Sequence, residues 1–322
     1  MENLSWFILA VICVLGWGFA DLFYKKGTDE NDRYSHLKIA VWVGLVMGIA
    51  AFILMPFSET KFDLSGLVRN AVAYSPASLC YIISMVIGYA GLRYLELSIV
   101  SPVQNASGAF SAIAMIVFFS VRGSFGSITQ ELSALDIIGT LLITAALIAL
   151  AIVENRISVS ENGTKTDRKF RFGALALIFP LLYCIFDTIG TAADGIILNE
   201  KTGLGLGEID VLILYGLTFM LAGIVSWIII YIKEKKAYNP FAKGELAKAQ
   251  AAVCEEFGQV FYVYAMAAKP VIVAPMVASY CIVSVLLSRI ILKEKLRASQ
   301  YACVFTVIAG IIILGVSEGL AS

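Results

Sequence analysis

The chain alternates between long apolar segments and short polar links. Ten segments of roughly 20 residues meet, or come close to meeting, the length and apolarity needed to cross a bilayer as helices. The sequence therefore predicts an all-α, polytopic membrane protein with ten transmembrane helices. These predicted helices are Leu4–Tyr24, Leu37–Pro56, Val72–Leu95, Ser98–Val121, Ala134–Val153, Phe172–Leu198, Ile209–Ile232, Gly244–Ala268, Val271–Leu292 and Ala298–Val316.

The eighth segment, Gly244–Ala268, has two adjacent carboxylates, Glu255 and Glu256, near its midpoint. An ionised carboxylate at the centre of a membrane helix costs about 2.5 to 3.5 kcal/mol even on mild insertion scales. Neighbouring residues of a helix point about 100° apart, so at most one of the two can face a given axis. We expect one of them to be a site residue and the other to support it, without being able to say which.

The two halves of the chain look like copies of each other. A shift of 173 positions superposes Pro102 on Pro275, and near the start of each half a shift of 166 positions places Asp21 over Asp187. Each copy has five predicted helices, so the second copy must enter the membrane from the opposite side. This 5+5 inverted repeat is the plan of many secondary transporters, which bind their substrate near the midplane between the repeats.

The repeat divides the chain into three parts. The prediction is a first five-helix repeat over residues 1–153, a polar linker over 154–171 and a second five-helix repeat over 172–322. The links after odd-numbered helices, with their flanks, contain nineteen of the 24 Lys and Arg residues. The positive-inside bias therefore predicts a cytoplasmic linker and a multi-pass protein of the cell membrane with both termini outside.

Composition narrows the class of function. The chain is 59% hydrophobic and 15% charged with zero net charge, which gives no reason to expect a nucleic-acid partner. The six cysteines lie in apolar segments without a C-x-x-C pair, so we predict no metal site and no cofactor. No nucleotide-binding loop or nucleophile elbow is present, and we expect that the protein is not an enzyme.

Several motifs together resemble the drug/metabolite transporter (DMT) superfamily, in particular its ten-helix EamA-type branch. They are the Trp17–Gly18 pair, GLRYLELSIVSPV at 91–103, AMAAKPVIVAPMV at 265–277 and ILKEKL at 291–296. The first-half counterpart of ILKEKL, at 127–133, is less basic and displaced by an apparent insertion. The resemblance implies a small-molecule transporter with a central cavity built from both halves.

Polar and aromatic side chains inside the predicted helices are the candidate site. Acids there could hold a cation or carry a proton, amides could hydrogen-bond a substrate, and aromatic faces could bind a cation. Ion pairing, bonding between helices and packing are the structural alternatives, and an i,i+4 ion pair of Asp21 with Lys25 is one example. The substrate- or proton-binding candidates are Glu255, Glu256, Asp187, Asp194, Asp21, Gln104, Asn105, Gln259, Trp17, Tyr183, Tyr81 and Tyr280, and Tyr262 belongs to the same aromatic set.

These candidates predict a secondary active transporter that works by alternating access and is coupled to protons. The excess of acids over bases favours a cationic or zwitterionic solute, such as an amine, a quaternary ammonium compound or an amino acid. The alternatives are a membrane-embedded enzyme acting on a lipid-linked substrate, an exporter of neutral or anionic metabolites, and a channel or structural membrane partner. The expected partners are the solute, protons and the lipid bilayer, and the sequence leaves a homodimer open.

Overall fold

A computed structural model describes residues 4–58, 64–123, 132–162, 177–199, 206–293 and 296–321. Throughout these ranges the regular structure is helical, without any strand, which confirms the all-α class. We number the helices α1 to α10. They are α1 Trp6–Gly27, α2 Ser35–Leu54 with a 3-10 turn at Met55–Phe57, α3 Leu64–Gly91, α4 Leu97–Val121, α5 Ala134–Asn162, α6 Ile178–Leu198, α7 Glu208–Glu234, α8 Leu246–Ala268, α9 Pro270–Ala278 and Tyr280–Leu287 with a π turn at Ser288–Leu292, and α10 Ala298–Ala321.

Helix α5 shows the main difference between predicted and observed boundaries. It continues through the first nine residues of the predicted linker and ends at Asn162 rather than Val153. The run from Glu154 to Asn162 contains neither Gly nor Pro, so nothing in it breaks a helix although it is polar. The rest of the predicted linker, 163–171, and most of the apparent insertion at 122–129 lie outside the described residues.

Nine of the described helices are long and apolar enough to cross a membrane, and α8 is the one that falls short. Its charged residues, including Lys248 and the two glutamates, lower its apolarity. Its outward residues Val253 and Phe257 are nevertheless apolar and exposed, while its inner face packs against α1 and α2. Helix α8 therefore presents an apolar face outward and keeps polar groups for the interior of the bundle.

The most extensive helix contacts join the two halves of the chain. Helix α1 packs on α8, α2 on α7, α3 on α6, α4 on α9, and α5 on α10. In a five-plus-five repeat, α1 to α5 correspond in order to α6 to α10. When each helix is replaced by its counterpart, the α1–α8 pair becomes the α6–α3 pair and the other three pairs stay the same. This is the pairing that a five-plus-five arrangement would give, whereas the inverted repeat itself stays a prediction.

The central pair, α4 and α9, approaches closely because of a glycine. A Cβ atom on Gly108 would lie 2.3 Å from the Cβ of Ala278 and 2.6 Å from the backbone oxygen of Ala274. Small residues of this kind let membrane helices pack backbone to backbone. The contact brings the halves together beside Pro275, and every residue of Pro270–Ala278 is buried.

Candidate functional site

A cavity lies between the halves, enclosed by α1, α3, α4, α6, α7, α8 and α9. The space between its lining atoms, including its open side, is about 710 Å³. Its lining combines aromatic rings with carboxyl, amide and hydroxyl groups. The lining residues are Trp17, Asp21, Tyr24, Tyr81, Met85, Gly88, Tyr89, Leu92, Gln104, Asn105, Ser107, Gly108, Tyr183, Asp187, Thr191, Tyr215, Glu255, Gln259, Tyr262, Ala274, Val277, Ala278 and Tyr280.

The structure brings together ten of the twelve candidate residues on this one surface. Glu256 is outside it: this side chain is partly exposed and does not line the cavity. Asp194 is also outside it, fully buried behind the tyrosines of the cavity wall. The ten that line the cavity are Glu255, Asp187, Asp21, Gln104, Asn105, Gln259, Trp17, Tyr183, Tyr81 and Tyr280.

Glu255 is the cavity carboxylate to which the described residues offer no partner. Its side chain is only 8% exposed, yet no hydrogen bond or ion pair reaches it from the residues that the structure describes. The backbone of Glu255 does have a partner, because Trp17 Nε1 on α1 donates to the Glu255 backbone oxygen over 3.2 Å. A buried carboxylate in this condition needs a proton or a cation from elsewhere.

Asp21, by contrast, has its partners inside the protein. Ser101 Oγ on α4 and Ser284 Oγ on α9 both donate to Asp21 Oδ2, the second over 2.7 Å. The ion pair with Lys25 that the sequence allowed does not form. Lys25 Nζ donates to the backbone oxygens of Leu92 at 2.7 Å and Leu95 at 2.8 Å, at the turn between α3 and α4.

Asp187 repeats this arrangement in the other half. Ser107 Oγ on α4 donates to Asp187 Oδ2 over 2.6 Å. One turn along α4, Ser111 Oγ donates to the backbone oxygen of Thr188 over 3.1 Å. The shift of 173 positions places Ser111 over Ser284, the partner of Asp21. In each half, therefore, an aspartate in the first helix is bonded to a serine from the opposite half.

Aromatic side chains make up much of the remaining wall. The rings of Trp17 and Tyr262 are 5.0 Å apart, those of Trp17 and Tyr280 5.6 Å, and those of Tyr24 and Tyr89 4.7 Å. Tyr24, Tyr89 and Tyr215 were missing from the sequence-based candidates. Tyr89 and Tyr215 lie inside their apolar segments, away from the interfaces where membrane tyrosines usually lie, and this was an available signal. Tyr24 is the last residue of its predicted segment and offered no such signal.

The cavity has an excess of acidic groups and of unused hydrogen-bond donors. Among the described residues, three carboxyl groups line it and no Lys, Arg or His does. The side-chain amide nitrogens of Gln104 and Gln259 are buried there without a hydrogen-bond acceptor. Asn105 differs, since its amide nitrogen donates to the Ser101 backbone oxygen over 2.8 Å within α4. Over the described ranges, no group of His, Cys, Asp and Glu could hold a metal ion.

Ion pairs join the halves at the end of the bundle where α1 meets α2. Lys38 lies 2.8 Å from Asp32 and 3.3 Å from Glu234 of the second half. Burial alone would raise the pKa of Asp32, but the hydrogen bond and charge of Lys38 outweigh it and hold the pKa below its usual value. Lys248 is paired with Glu245 at 2.8 Å at the start of α8.

A second polar cluster joins the halves at the opposite end. Trp6 Nε1 and Ser5 Oγ, at the start of α1, donate to the carboxylate of Glu318 near the end of α10. Lys269 lies 3.8 Å from Glu318 and 4.0 Å from Asp136, and its ammonium group is 5.1 Å from the centre of the Trp6 ring. Polar contacts therefore cross between the halves at both ends of the interface.

Comparison with solved structures supports the fold. A crystal structure titled only "Crystal structure of protein" superposes with a TM-score of 0.58 at 12% identity, covering 99% of this chain and 99% of that one. At this identity the likeness shows the fold alone. No curated protein matches the sequence.

Comparison with family models identifies the second half. The family described as the EamA-like transporter family matches residues 201–316, from the link before α7 to the interior of α10. The matched stretch contains α8 with Glu255, both parts of α9, and the motifs at 265–277 and 291–296. The resemblance seen in the sequence is confirmed over residues 201–316, which match the EamA-like transporter family of the DMT superfamily.

Proposed function

We propose that this protein is a secondary active transporter that moves a small cationic or zwitterionic organic solute by alternating access, coupled to protons. One observation carries the proposal: three carboxyl groups and a wall of aromatic rings enclose a cavity between the halves, and none of its described lining residues is basic. The family match supports a membrane transporter of the DMT type, and the chemistry of the cavity supports the class of solute.

Glu255 is the residue that we assign to the cation or the coupling proton. It lines the cavity and has no partner among the described residues, whereas Asp21 and Asp187 are already bonded to serines. A cation and a proton would compete for the same carboxylate, so that proton binding on one side of the membrane releases the solute there. Such competition at one site is sufficient to couple the two fluxes.

The aromatic wall suits the positive end of the solute. Trp17, Tyr262 and Tyr280 form a continuous set of rings beside Glu255, and each face can stabilise a cation by about 0.5 to 2 kcal/mol. The free amide nitrogens of Gln104 and Gln259 favour a solute that also has a hydrogen-bond acceptor. These donors favour a zwitterion over a simple quaternary ammonium ion.

Alternating access would use the two polar clusters at the ends of the interface. Opening the cavity at one end requires breaking the contacts of Lys38 with Asp32 and Glu234, and opening it at the other requires breaking those of Glu318 with Trp6 and Lys269. We place the Lys38 cluster on the cytoplasmic side of the cell membrane, following the distribution of basic residues. The inverted repeat would make the two openings structurally equivalent.

The proposal is tested by uptake and counterflow in proteoliposomes. Matched pairs of radiolabelled solutes, such as an amine and its amino acid or choline and betaine, are supplied at two pH values. We expect saturable uptake of a cationic or zwitterionic member, acceleration by unlabelled solute inside, and a response to an imposed pH gradient. Flux that does not saturate or show counterflow would indicate a channel, and uptake confined to neutral or anionic solutes would contradict the proposed class.

A further inference from the structure

A second buried acid lies just outside the cavity. Asp194 on α6 is 0% exposed and stands seven residues after Asp187 on the same helix face. Tyr81 Oη is 3.4 Å from Asp194 Oδ2, a long and weak hydrogen bond. Among the described residues, none makes a hydrogen bond of good geometry to Asp194 Oδ1 or to the Tyr74 hydroxyl, although Tyr74 is near enough to interact electrostatically with this carboxyl group.

We propose that Asp194 holds a proton in a site of its own, separated from the solute cavity by the hydroxyl groups of Tyr81 and Tyr262. The site consists of Asp194 and Thr191 from α6, Tyr74 and Tyr81 from α3, and Tyr262 from α8. It goes beyond the proposed transport function, because it assigns a proton to a residue that the solute does not touch.

The surroundings explain why a proton is needed. An ionised carboxylate buried in a membrane protein requires several strong donors or a positive charge. In the described part of the chain, the titratable groups around Asp194 are tyrosines from α3, α7 and α8 together with Asp187 on its own helix, and none of them is a base. They are Tyr74, Tyr81, Tyr215, Tyr262 and Asp187. From α4, α8 and α9 the neighbouring contacts at Gly195 are Met115, Met266 and Pro270.

A single proton also removes the charge while Asp194 and Tyr74 can still pair. The Tyr74 hydroxyl could donate to an ionised Asp194 Oδ1, or the O–H of a neutral Asp194 could donate to Tyr74 Oη. Only the second arrangement leaves no negative charge among these buried groups. Two buried polar atoms that lack partners, on neighbouring helices and beside one another, are rare in native proteins.

The tyrosine hydroxyls supply a route between this site and the cavity. Tyr81 and Tyr262 both line the cavity, and their hydroxyl oxygens are 2.7 Å apart. A hydronium ion in the cavity gives its proton to Tyr262 Oη, Tyr262 passes its own proton to Tyr81 Oη, and Tyr81 passes its own to Asp194 Oδ2. Both tyrosines end neutral, water remains in the cavity, and rotation of the carboxyl group turns the new O–H toward Tyr74.

The protonation state of Asp194 then determines whether the Tyr81 hydroxyl accepts a hydrogen bond from Tyr262 or donates one to it. When Asp194 is ionised, Tyr81 donates to it and presents lone pairs to Tyr262. When Asp194 is protonated, Tyr81 is free to donate toward Tyr262 and the cavity. Asp194 is therefore a positioning residue, which changes whether the tyrosine part of the cavity wall offers a donor or an acceptor to the solute.

Infrared spectroscopy of the reconstituted full-length protein tests the assignment without any solute. At neutral pH we expect a carboxylic-acid C=O band in the wild type, one component of which is lost in Asp194→Asn and retained in Glu255→Gln. Tyr74→Phe should keep that component but move it to the frequency of a less hydrogen-bonded acid. A spectrum unchanged by Asp194→Asn would overturn the proposal, and a Tyr74→Phe spectrum identical to the wild type would remove the assigned partner.

Transport and cation binding provide separate checks. Asp194→Asn should bind solute but move fewer protons per solute than the wild type in the same liposomes. Tyr74→Phe tests the site independently if Asp194→Asn does not fold. Should the wild type gain thermal stability from Na⁺ but not from choline, and should Asp194→Asn abolish that gain, the site holds a metal cation and the proton assignment is wrong. Failure of the cavity proposal would leave the infrared result unaffected.

Discussion

Trp17 Nε1 donates a hydrogen bond to the backbone oxygen of Glu255 over 3.2 Å, which ties the first helix of one half to the acid-bearing helix of the other. The two helices are close enough that a Cβ on Gly258 would lie 2.3 Å from the indole ring. The ring that forms part of the cavity wall thus also fixes the backbone position of the unpaired carboxylate.

Trp17→Phe should therefore lower solute affinity through the position of Glu255 as well as through the lost ring area. We expect a decrease of about 5- to 10-fold, equivalent to about 1 to 1.4 kcal/mol. The matched control is Trp227→Phe, because Trp227 Nε1 also donates to a backbone oxygen, that of Tyr238 at 3.0 Å, away from the cavity. Isothermal titration should separate the two variants, and equal losses of affinity would contradict the assigned role.

Glu255→Gln and Glu256→Gln should behave differently although they change adjacent residues. Glu255 lines the cavity and Glu256 does not, so only the first change removes the proposed cation and proton site. We expect Glu255→Gln to abolish the response of uptake to a pH gradient and Glu256→Gln to retain it. A Glu255→Gln protein with the pH dependence of the wild type would exclude the coupling role.

Ser284→Ala should destabilise the folded protein by about 1 to 3 kcal/mol, because a donor to the buried Asp21 carboxyl group is lost. Ser120→Ala is the control, since Ser120 is exposed and its hydroxyl bonds only to Ile116 of its own helix. Thermal unfolding in detergent measures both. Equal midpoints would mean that Ser101 alone satisfies Asp21.

Gly108→Ala should open the contact between α4 and α9. The added methyl group would overlap Ala278 and the Ala274 oxygen, and overpacking of this kind costs roughly 1 to 3 kcal/mol. Gly319→Ala is the matched control, because a Cβ there meets nothing within 4 Å and alanine favours a helix. The expected order of unfolding temperatures is Gly319→Ala at or above wild type, and Gly108→Ala below it.

Asp32 should make stability sensitive to acid. Its pKa is lower in the folded protein than its unperturbed value of about 3.9, so its contribution is complete above that pH and is lost as pH falls through the folded pKa. Asp32→Asn should remove this contribution at neutral pH and flatten the acid limb of the stability curve below about pH 4. An acid limb identical to that of the wild type would show that the ion pair of Asp32 with Lys38 does not contribute to the stability of the fold.

The sequence predicted the helices well because long apolar segments leave few alternatives in a membrane. It also placed Asp21, Asp187 and Gln104 within helices that meet at the cavity. It could not decide between Glu255 and Glu256, because adjacent positions differ only in rotation about the helix axis, and that rotation is set by the packing of α8 on α1 and α2.

Asp194 shows a second limit of prediction from the sequence. Its spacing from Asp187 predicted a shared polar face, and both do lie on one side of α6. Two further turns along the helix, however, the neighbours change from cavity space to Tyr74 and Tyr81 of α3, which close over the second carboxylate. Periodicity predicts which face a residue occupies, but what covers that face depends on neighbours that are distant in the sequence.

The two bonds from Lys25 to the Leu92 and Leu95 oxygens limit how the bundle can move. The lysine belongs to α1, whereas its acceptors form the bend that leads from α3 into α4. A tilt of the first helix alone would break both bonds, whereas a tilt that includes the bend would keep them. In an opening motion of the kind proposed, we therefore expect α1 and the α3–α4 corner to move together.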